Sequence, residues 1–258
     1  MFTMRIASYN LYEGAQDTYS QLQDFITEQD IDVLCLQEVN GWGVGYPKRI
    51  DEFGESIRFP HYVYGDSNTR FKLATYSSIP MLSSRVITEG FWHSSVKTTF
   101  EIQDNTLDVW NIHLNPRGED DRLKEVEQIV AMIDPNQPTI ITGDFNSLSE
   151  ADHYPDDFID ILTAQGITKF GKKRLRYDVT NRLVSAGLVD IAADLGVSTN
   201  TVPTPANKDM HHAAEMRLDY MFVSQGLVRA VKSIKVPKTP LTDSISDHYP
   251  IIMDLEIL

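Results

Sequence analysis

The stretch Pro138-Thr139-Ile140-Ile141-Thr142-Gly143-Asp144-Phe145-Asn146 places an apolar strand directly before a polar turn. The same order occurs near the start of the chain, where the apolar run from Ile31 to Leu36 leads into Gln37-Glu38. Strands that are apolar on consecutive positions are usually buried on both faces of a sheet, with helices covering that sheet. Because strand ends share a rim of the sheet, the polar residues that follow these strands are expected to converge there.

Hydrophobic periodicity predicts the remaining elements. Strands are expected over residues 4–9, 62–64, 73–76, 81–87, 96–102, 107–112, 218–223, 227–236 and 250–257, and helices over 17–28, 119–133, 158–164 and 177–186. Asp104-Asn105 indicates a hairpin turn between two of these strands. Many strands with few helices favour an α/β sandwich, in which two sheets pack face to face with helices outside, over an alternating doubly wound fold.

The composition is that of a globular enzyme, with 41% hydrophobic residues and no linker-like or low-complexity run, so we expect a single domain over residues 1–258. The start from Met1 to Ile6 lacks the basic and apolar regions of a signal peptide, and nowhere do eighteen apolar residues follow one another. We therefore expect a cytoplasmic protein without stable membrane insertion, and a secreted mature form stays open. Cys35, the single cysteine, is expected to be a buried small residue.

The formal net charge of −14 disfavours tight nonspecific DNA binding, because such binding comes largely from Lys and Arg displacing counterions from phosphates. Two short basic stretches depart from this balance. The first contains Lys172, Lys173, Arg174 and Arg176, and the second contains Arg229, Lys232, Lys235 and Lys238. Either stretch could face an anionic substrate, or they could be an ordinary solvated loop and a solvated strand face.

Polar residues stand where the apolar strands end, and one further acid lies within a strand. They are Asn10, Glu38, His113, Asp144 and Asn146 at strand ends, and Asp219 within the strand 218–223. Carboxylates in such apolar surroundings need partners, since burying an unpaired charge is costly. The pattern therefore indicates a site in which these groups compensate one another.

Six short segments carry these residues in order along the chain. They are Ala7-Ser8-Tyr9-Asn10, Leu36-Gln37-Glu38, Asn111-Ile112-His113, Gly143-Asp144-Phe145-Asn146, Arg217-Leu218-Asp219-Tyr220 and Ser246-Asp247-His248. This arrangement resembles the endonuclease/exonuclease/phosphatase superfamily, which is deoxyribonuclease-I-like, and it spans nearly the whole chain. The resemblance implies a four-layer α/β sandwich and a metal-dependent hydrolase that cleaves a phosphate ester by direct attack of water.

The resemblance also implies a magnesium site. Mg²⁺ prefers oxygen ligands and usually keeps several waters, so one or two carboxylates and substrate oxygens satisfy it. Glu38 is the first-choice ligand, assisted by Asn10 and Asp247, and Mn²⁺ is a substitute. Relatives that act on DNA often carry an acid two positions after the first-motif asparagine, where this chain has Tyr12, so one metal contact could be missing.

By the same resemblance, five residues would form the catalytic set: His113, Asp144, Asn146, Asp219 and His248. Asp144 would orient and deprotonate the water, and Asn146 would donate its amide to a phosphoryl oxygen. His113 would contact another oxygen or the leaving group. His248 would stand beside the phosphate as a cation held by Asp219.

The substrate is the open part of this prediction. A nuclease is the leading choice, with a phosphomonoesterase or a phospholipid (sphingomyelin-type) phosphodiesterase as the alternative, and a basic groove from Lys172 to Arg176 would favour the nuclease. A catalytically silent binding scaffold is the rival from another class. Protein partners are not indicated.

Several other residues invite a functional interpretation. Trp42, Tyr46 and Trp92 could line a substrate groove, although aromatic residues more often pack in the core or at its rim. Arg217 could contact substrate or pair with an acid, and it is left out of the catalytic set. His211-His212 are adjacent in sequence, and adjacent positions do not present two ligands to one ion, so no zinc site is expected.

Overall fold

Two six-stranded mixed sheets form the centre of the protein in a computed structural model that describes residues 2–45, 48–103, 105–197 and 199–257. The strands are β1 (Phe2–Asn10), β2 (Val33–Gln37), β3 (His61–Gly65), β4 (Leu73–Ser77), β5 (Met81–Ile87), β6 (Ser95–Ile102), β7 (Asn105–His113), β8 (Thr139–Asp144), β9 (Leu188–Asp190), β10 (Asp219–Ser224), β11 (Val231–Lys235) and β12 (Ile251–Ile257). The helices are α1 (Tyr19–Glu28), α2 (Arg49–Ser56), α3 (Glu119–Met132), α4 (Phe158–Ala164), α5 (Asp178–Ser185), α6 (Ile191–Asp194) and α7 (Thr242–Ile245), with 3₁₀ turns at Glu150–Asp152 and Gln225–Ala230.

Each sheet has one parallel strand pair near its centre. The first sheet has the order β11-β12-β1-β2-β4-β3 and the second the order β5-β6-β7-β8-β10-β9. β1 runs parallel to β2, and β7 runs parallel to β8, while their other neighbours are antiparallel. The pairing places Asn10 opposite Gln37 and His113 opposite Asp144. Parallel pairing therefore brings two polar strand ends together in each sheet.

The two sheets pack on each other through apolar side chains, and helices cover their outer faces. Val33 and Cys35 of the first sheet share a buried cluster with Val109 and Ile140 of the second. On the outside, residues of α1 and α2 pack against the first sheet, and residues of α3 and α5 pack against the second. The predicted four-layer α/β sandwich is confirmed, and Cys35 is buried as expected.

Most predicted elements are confirmed to within a few residues, and one is wrong in part. Residues 227–236 were expected to form one strand, but a 3₁₀ turn occupies 225–230 and only 231–235 pair with β12. The second basic stretch begins in this turn, at Arg229, and continues along β11. Lys232 and Lys235 are exposed on β11, an edge strand, where lysine discourages pairing with another chain. This stretch is a solvated strand face.

The helices and strands that the hydrophobic periodicity did not predict are short. α2, β9, α6 and α7 have at most eight residues each, too few for a clear period. Ile102 pairs with Asn105, as the hairpin prediction requires, while Asp104 itself lies outside the described residues. The single-domain organisation stays a prediction. Within the described ranges no helix is long and apolar enough to cross a membrane.

Gly143 is a point of close approach between β8 and β7. Its φ is +141°, and a Cβ built on it would lie 1.9 Å from the carbonyl oxygen of Ile112. Gly143→Ala is therefore expected to lower the free energy of unfolding by at least about 2 kcal/mol, measured by urea denaturation. Gly166→Ala is the matched control, because φ is also positive there but nothing lies within 4 Å. Equal losses in the two variants would contradict this interpretation.

Candidate active site

The eight predicted site residues lie together at one edge of the sandwich. Asn10 and Glu38 come from the ends of β1 and β2 in the first sheet. His113 and Asp144 end β7 and β8 in the second sheet, and Asp219 at the start of β10 is paired with Asp144. The remaining residues come from the loops after β8 and before β12: Asn146, Asp247 and His248. Every one of the eight except Glu38, which is partly exposed, is buried.

Asn10 connects the two sheets. Its Nδ2 donates to Oδ2 of Asp144 at 3.0 Å and to Oε1 of Glu38 at 3.4 Å. Its carbonyl oxygen accepts from Oγ of Ser246 at 2.7 Å, which fixes the loop that carries the last motif. One asparagine thus sets the position of three of the six sequence motifs relative to its own.

Glu38 has a carboxyl group whose ionised form the described residues stabilise only in part. Its Oε2 accepts from the backbone N–H of Glu13 at 3.0 Å, and its backbone φ is +59°, an unusual value that clusters at functional sites. Burial raises the pKa of Glu38 to about 7, and the carboxylate of Asp247 adds to that rise. Oxygen donors with surplus negative charge fit a hard divalent cation. Glu38, Asp247 and Asn10 could hold one here.

His248 and Asp219 form a buried pair. Nδ1 of His248 lies 2.7 Å from Oδ2 of Asp219, and Nε2 lies 3.7 Å from Oδ2 of Asp144. Burial alone would lower the pKa of His248, but the Asp219 and Asp144 carboxylates outweigh it and raise the pKa to about 10. Burial has the opposite effect on Asp144, whose pKa it would raise, but His248, with His113 and the backbone N–H of Asn146, outweighs burial and keeps the pKa of Asp144 below its usual value. The site therefore holds an imidazolium beside an ionised carboxylate at neutral pH.

His113 stands against a second histidine, His93, that the sequence analysis did not select. The two rings stack with centroids 4.2 Å apart, and the ring of Phe71 contacts both edge-on. Nε2 of His113 lies 3.4 Å from Oδ2 of Asp144. Burial lowers the pKa of His93 to about 2 and that of His113 to about 4. His113 is therefore a neutral ring that can donate one hydrogen bond.

His212 and Lys169 also belong to the site and were missed. Nδ1 of His212 lies 3.1 Å from Oδ2 of Asp247, and one ligand atom from each of His212, Asp247 and His248 lies within 4.8 Å of the others. These three have the spacing of a metal site, which the expectation of no zinc site did not foresee, but His248 offers no lone pair to an ion while it is an imidazolium. His211 is exposed, so the adjacent histidines do not act as a pair. Nζ of Lys169 donates to Oδ1 of Asn146 at 3.0 Å.

Three further residues that the sequence analysis considered make structural contacts and do not line the cavity: Trp42, Trp92 and Arg217. Trp42 is fully buried in the core, and Trp92 packs under the guanidinium of Arg117. Neither tryptophan lines the cavity at the site, and Tyr46 lies outside the described residues. Arg217 is buried and forms ion pairs with Asp190 and Asp152.

The site opens into a cavity of about 710 Å³. It is lined by residues of the predicted set and by their neighbours, including Glu38, His113, Asp144, Asn146, Asp247, His248, Phe71, His93, Arg117, Lys169, Lys208 and His212. Oxygen ligands that could hold a hard cation, an imidazolium, a neutral imidazole and a carboxylate that could accept a proton thus face one space. That combination suits hydrolysis of a phosphate ester.

The model of the Endonuclease/Exonuclease/phosphatase family matches residues 7–248, which is the span of the six motifs. The chain belongs to this family. Members of the family are hydrolases that act on phosphate ester bonds and are generally metal-dependent, so this chain is a phosphoester hydrolase. No curated protein matches the sequence.

Solved structures of family members share the fold. An AP endonuclease from Archaeoglobus fulgidus has a TM-score of 0.74 at 15% identity, and a 3′ phosphatase, NExo, from Neisseria has 0.71 at 15% identity. A family protein from Leptotrichia buccalis has a TM-score of 0.70 at 18% identity. Each alignment covers 98% of this chain and 100% of the other. At these identities the likeness extends to the fold, and it does not identify the substrate.

The stacked histidines generate a test of protonation. We expect His93 and His113 to stay neutral at pH 6, measured from ring ¹⁵N shifts with His93→Gln and His113→Gln for assignment. In the unfolded chain these two histidines bind protons at a higher pH than they do in the folded protein. The free energy of unfolding is therefore expected to fall as the pH drops below about 6.5. Titration of either ring near about 6.5 would contradict the burial described above.

Proposed function

We propose that this family member is a phosphoesterase that uses Mg²⁺ or Mn²⁺, with a phosphodiester of nucleic acid as its leading substrate. The observation that carries the proposal is the charge arrangement in one cavity. The imidazolium of His248 lies beside Asp144, and Glu38 with Asp247 forms an oxygen-rich group whose negative charge is under-compensated. A phosphate bound in this cavity would meet the positive charge of His248 and that of a bound cation.

The proposed metal ligands are Glu38, Asp247 and Asn10. When bound, the cation would polarise a phosphoryl oxygen and offset negative charge in the transition state. Asn10 already donates through Nδ2 to both Glu38 and Asp144, which leaves its Oδ1 as the oxygen that could face a cation. Oδ1 accepts from the backbone N–H of Tyr12, so the loop in which Tyr12 stands in place of an acid still supports the ligand.

Asp144 is the proposed base. Its Oδ1 accepts from the backbone N–H of Asn146 at 2.7 Å, and its Oδ2, which accepts from Nδ2 of Asn10 at 3.0 Å, would orient a water and accept its proton. Oδ2 lies within 3.7 Å of Nε2 of both His113 and His248, so the positive charge of His248 keeps the carboxylate ionised and ready to act. His248 would then stabilise the added charge on the phosphoryl oxygens, with Asp219 holding its ring.

The neutral ring of His113 suits the leaving-group side. A ring that donates through Nε2 can hydrogen-bond the departing oxygen without adding another full charge. Its stack on His93 and the edge contact of Phe71 hold the ring plane, as a positioned donor requires.

The first basic stretch supports the choice of a polyanion. It follows Lys169 directly, and Lys172, Lys173 and Arg174 are exposed, so a loop that begins at the site wall ends in three solvated cations. Arg176 is partly neutralised by ion pairs with Asp120 and Asp178. A strand of nucleic acid in the cavity could reach the exposed cations with its neighbouring phosphates.

A small phosphomonoester is the second candidate. The cavity of about 710 Å³ has the size of a small-molecule site, and the net charge of −14 opposes long polyanions. The exposed lysines should contribute to the binding of nucleic acid but not to the binding of a small ester. Lys172→Ser with Lys173→Ser should therefore slow only the cleavage of nucleic acid.

The test is a substrate panel with Mg²⁺, Mn²⁺ or EDTA that contains plasmid DNA, single-stranded DNA, RNA, bis-p-nitrophenyl phosphate, p-nitrophenyl phosphate and sphingomyelin. We expect EDTA-sensitive cleavage of nucleic acid, with kcat lowered about 100-fold or more in His248→Ala, since one removed stabilising group typically costs that much. Glu38→Gln should raise the metal concentration required for half-maximal activity. His61→Ala, a histidine on β3 away from the site, is the control and should match the wild type.

The outcomes separate the candidates. Turnover of only the small esters would favour the phosphomonoesterase, and turnover of only sphingomyelin would favour the phospholipid phosphodiesterase. Activity that survives both EDTA and Asp144→Asn would refute the mechanism. A wild type that is inactive on every substrate would favour a catalytically silent binding scaffold.

A further inference from the structure

Lys169 is a buried lysine in the wall of the active-site cavity. The residue is only 8% exposed, yet among residues 2–45, 48–103, 105–197 and 199–257 no carboxylate lies within ion-pair distance of its Nζ. The hydrogen bond from Nζ to Oδ1 of Asn146 uses one of its three N–H groups. A buried ammonium normally requires a counter-charge, so one that faces a cavity with donors to spare indicates an anionic ligand.

The buried guanidinium of Arg122 fixes the backbone of Lys169. The carbonyl oxygen of this lysine accepts from Nη2 of Arg122 at 2.6 Å, and Nη1 of the same guanidinium donates to the carbonyl of Asn115 at 3.1 Å. Arg122 is itself fully buried and paired with Glu119 at 2.9 Å. Glu119 in turn accepts from Oγ of Ser147 at 2.6 Å. The backbone of Lys169 is therefore tied to the loops that follow His113 and Asp144.

We propose that Lys169 is a further catalytic residue, whose ammonium donates to a non-bridging oxygen of the scissile phosphate while it holds the Asn146 amide in place. The inference rests on the proposed phosphoesterase function and adds a contact to that site. With Oδ1 of Asn146 committed to Lys169, Nδ2 of Asn146 is turned towards Oδ2 of Asp144, at 3.4 Å. The lysine, together with the carbonyl oxygen of Leu114, which accepts from Nδ2 of Asn146 at 3.2 Å, thereby sets which end of the amide faces the reacting groups.

The charges around Lys169 favour an ammonium at neutral pH. Burial lowers the pKa of Lys169 to about 8, although the carboxylate of Asp144 opposes that shift, as do Asp209 and Asp247 more weakly, while Arg122 adds to it. The charged form therefore prevails below about pH 8 and is lost above it. Activity that depends on the ammonium should fall as the pH rises through this range.

The first test compares Lys169→Met and Lys169→Arg with Lys124→Met, an exposed lysine of α3 that does not line the cavity. For Lys169→Met we expect kcat on the best substrate of the panel to fall about 100-fold, with KM changed by less, since the lost donor acts on developing charge. Lys169→Arg should recover at least tenfold and should remove the fall in kcat near pH 8, because arginine stays charged. Lys124→Met should keep both the rate and the pH profile of the wild type.

The second measurement does not depend on turnover. Binding of inorganic phosphate in the presence of Mg²⁺, measured by titration calorimetry, should weaken at least tenfold in Lys169→Met and be restored in Lys169→Arg. Unchanged phosphate binding together with unchanged kcat in Lys169→Met would overturn the proposal while leaving the proposed function intact. If the wild type turns over no substrate, the proposed function fails, and phosphate binding by the same variants still decides whether Lys169 contacts the anion. Equal melting temperatures of the three variants and the wild type show that each result comes from a folded protein.

Discussion

Carboxylates buried side by side at the edge of two sheets are the constraint on which the site depends. Asp144, Asp219 and Asp247 are almost fully buried, and isolated charges in such surroundings cost several kcal/mol each. His248 offsets the charge of Asp219 and Asp144, so its raised pKa is a consequence of the cluster. Glu38, which has no comparable cationic partner among the described residues, is where a metal ion would complete the balance. The fold therefore holds charges that are stable only as a set.

The strand order explains how distant parts of the chain supply that set. A parallel pair near the centre of each sheet puts two chain segments in the same direction, so their carboxyl ends meet at one edge. The antiparallel neighbour β10 runs the opposite way, and its first residue, Asp219, therefore reaches the same edge. The segment before β12 is brought in by Ser246, which bonds the carbonyl of Asn10. Six motifs spread from residue 7 to 248 become one site for this topological reason.

The strand pattern predicted the groups at strand ends, and the family motifs added Asp247 and His248 from the loop before β12. Two further loop residues, Lys169 and His212, were not predicted. Asp144 and Glu38 could be found because long apolar runs precede them and locate the rim of the sheet. Lys169 lies in a region without a period and next to Lys172 and Lys173, from which its residue type does not distinguish it. His212 had no signal beyond its neighbour His211. Burial of these residues follows from tertiary packing, which local patterns do not encode.

The first turns of α3 contain the buried ion pair between Glu119 and Arg122, which holds backbone groups beside the site. Such pairs are weak evidence for stability, since well-packed apolar residues often replace them without loss. An apolar side chain at Arg122 could not, however, bond the carbonyls of Asn115 and Lys169 at once. On the next turn, Glu125 accepts from the backbone N–H groups of Trp92 and Asn115, at 2.6 and 2.8 Å. The same helix thus fixes the chain beside both His93 and Lys169, two residues that line the cavity. Its polar residues hold these backbone segments through hydrogen bonds that apolar side chains could not form.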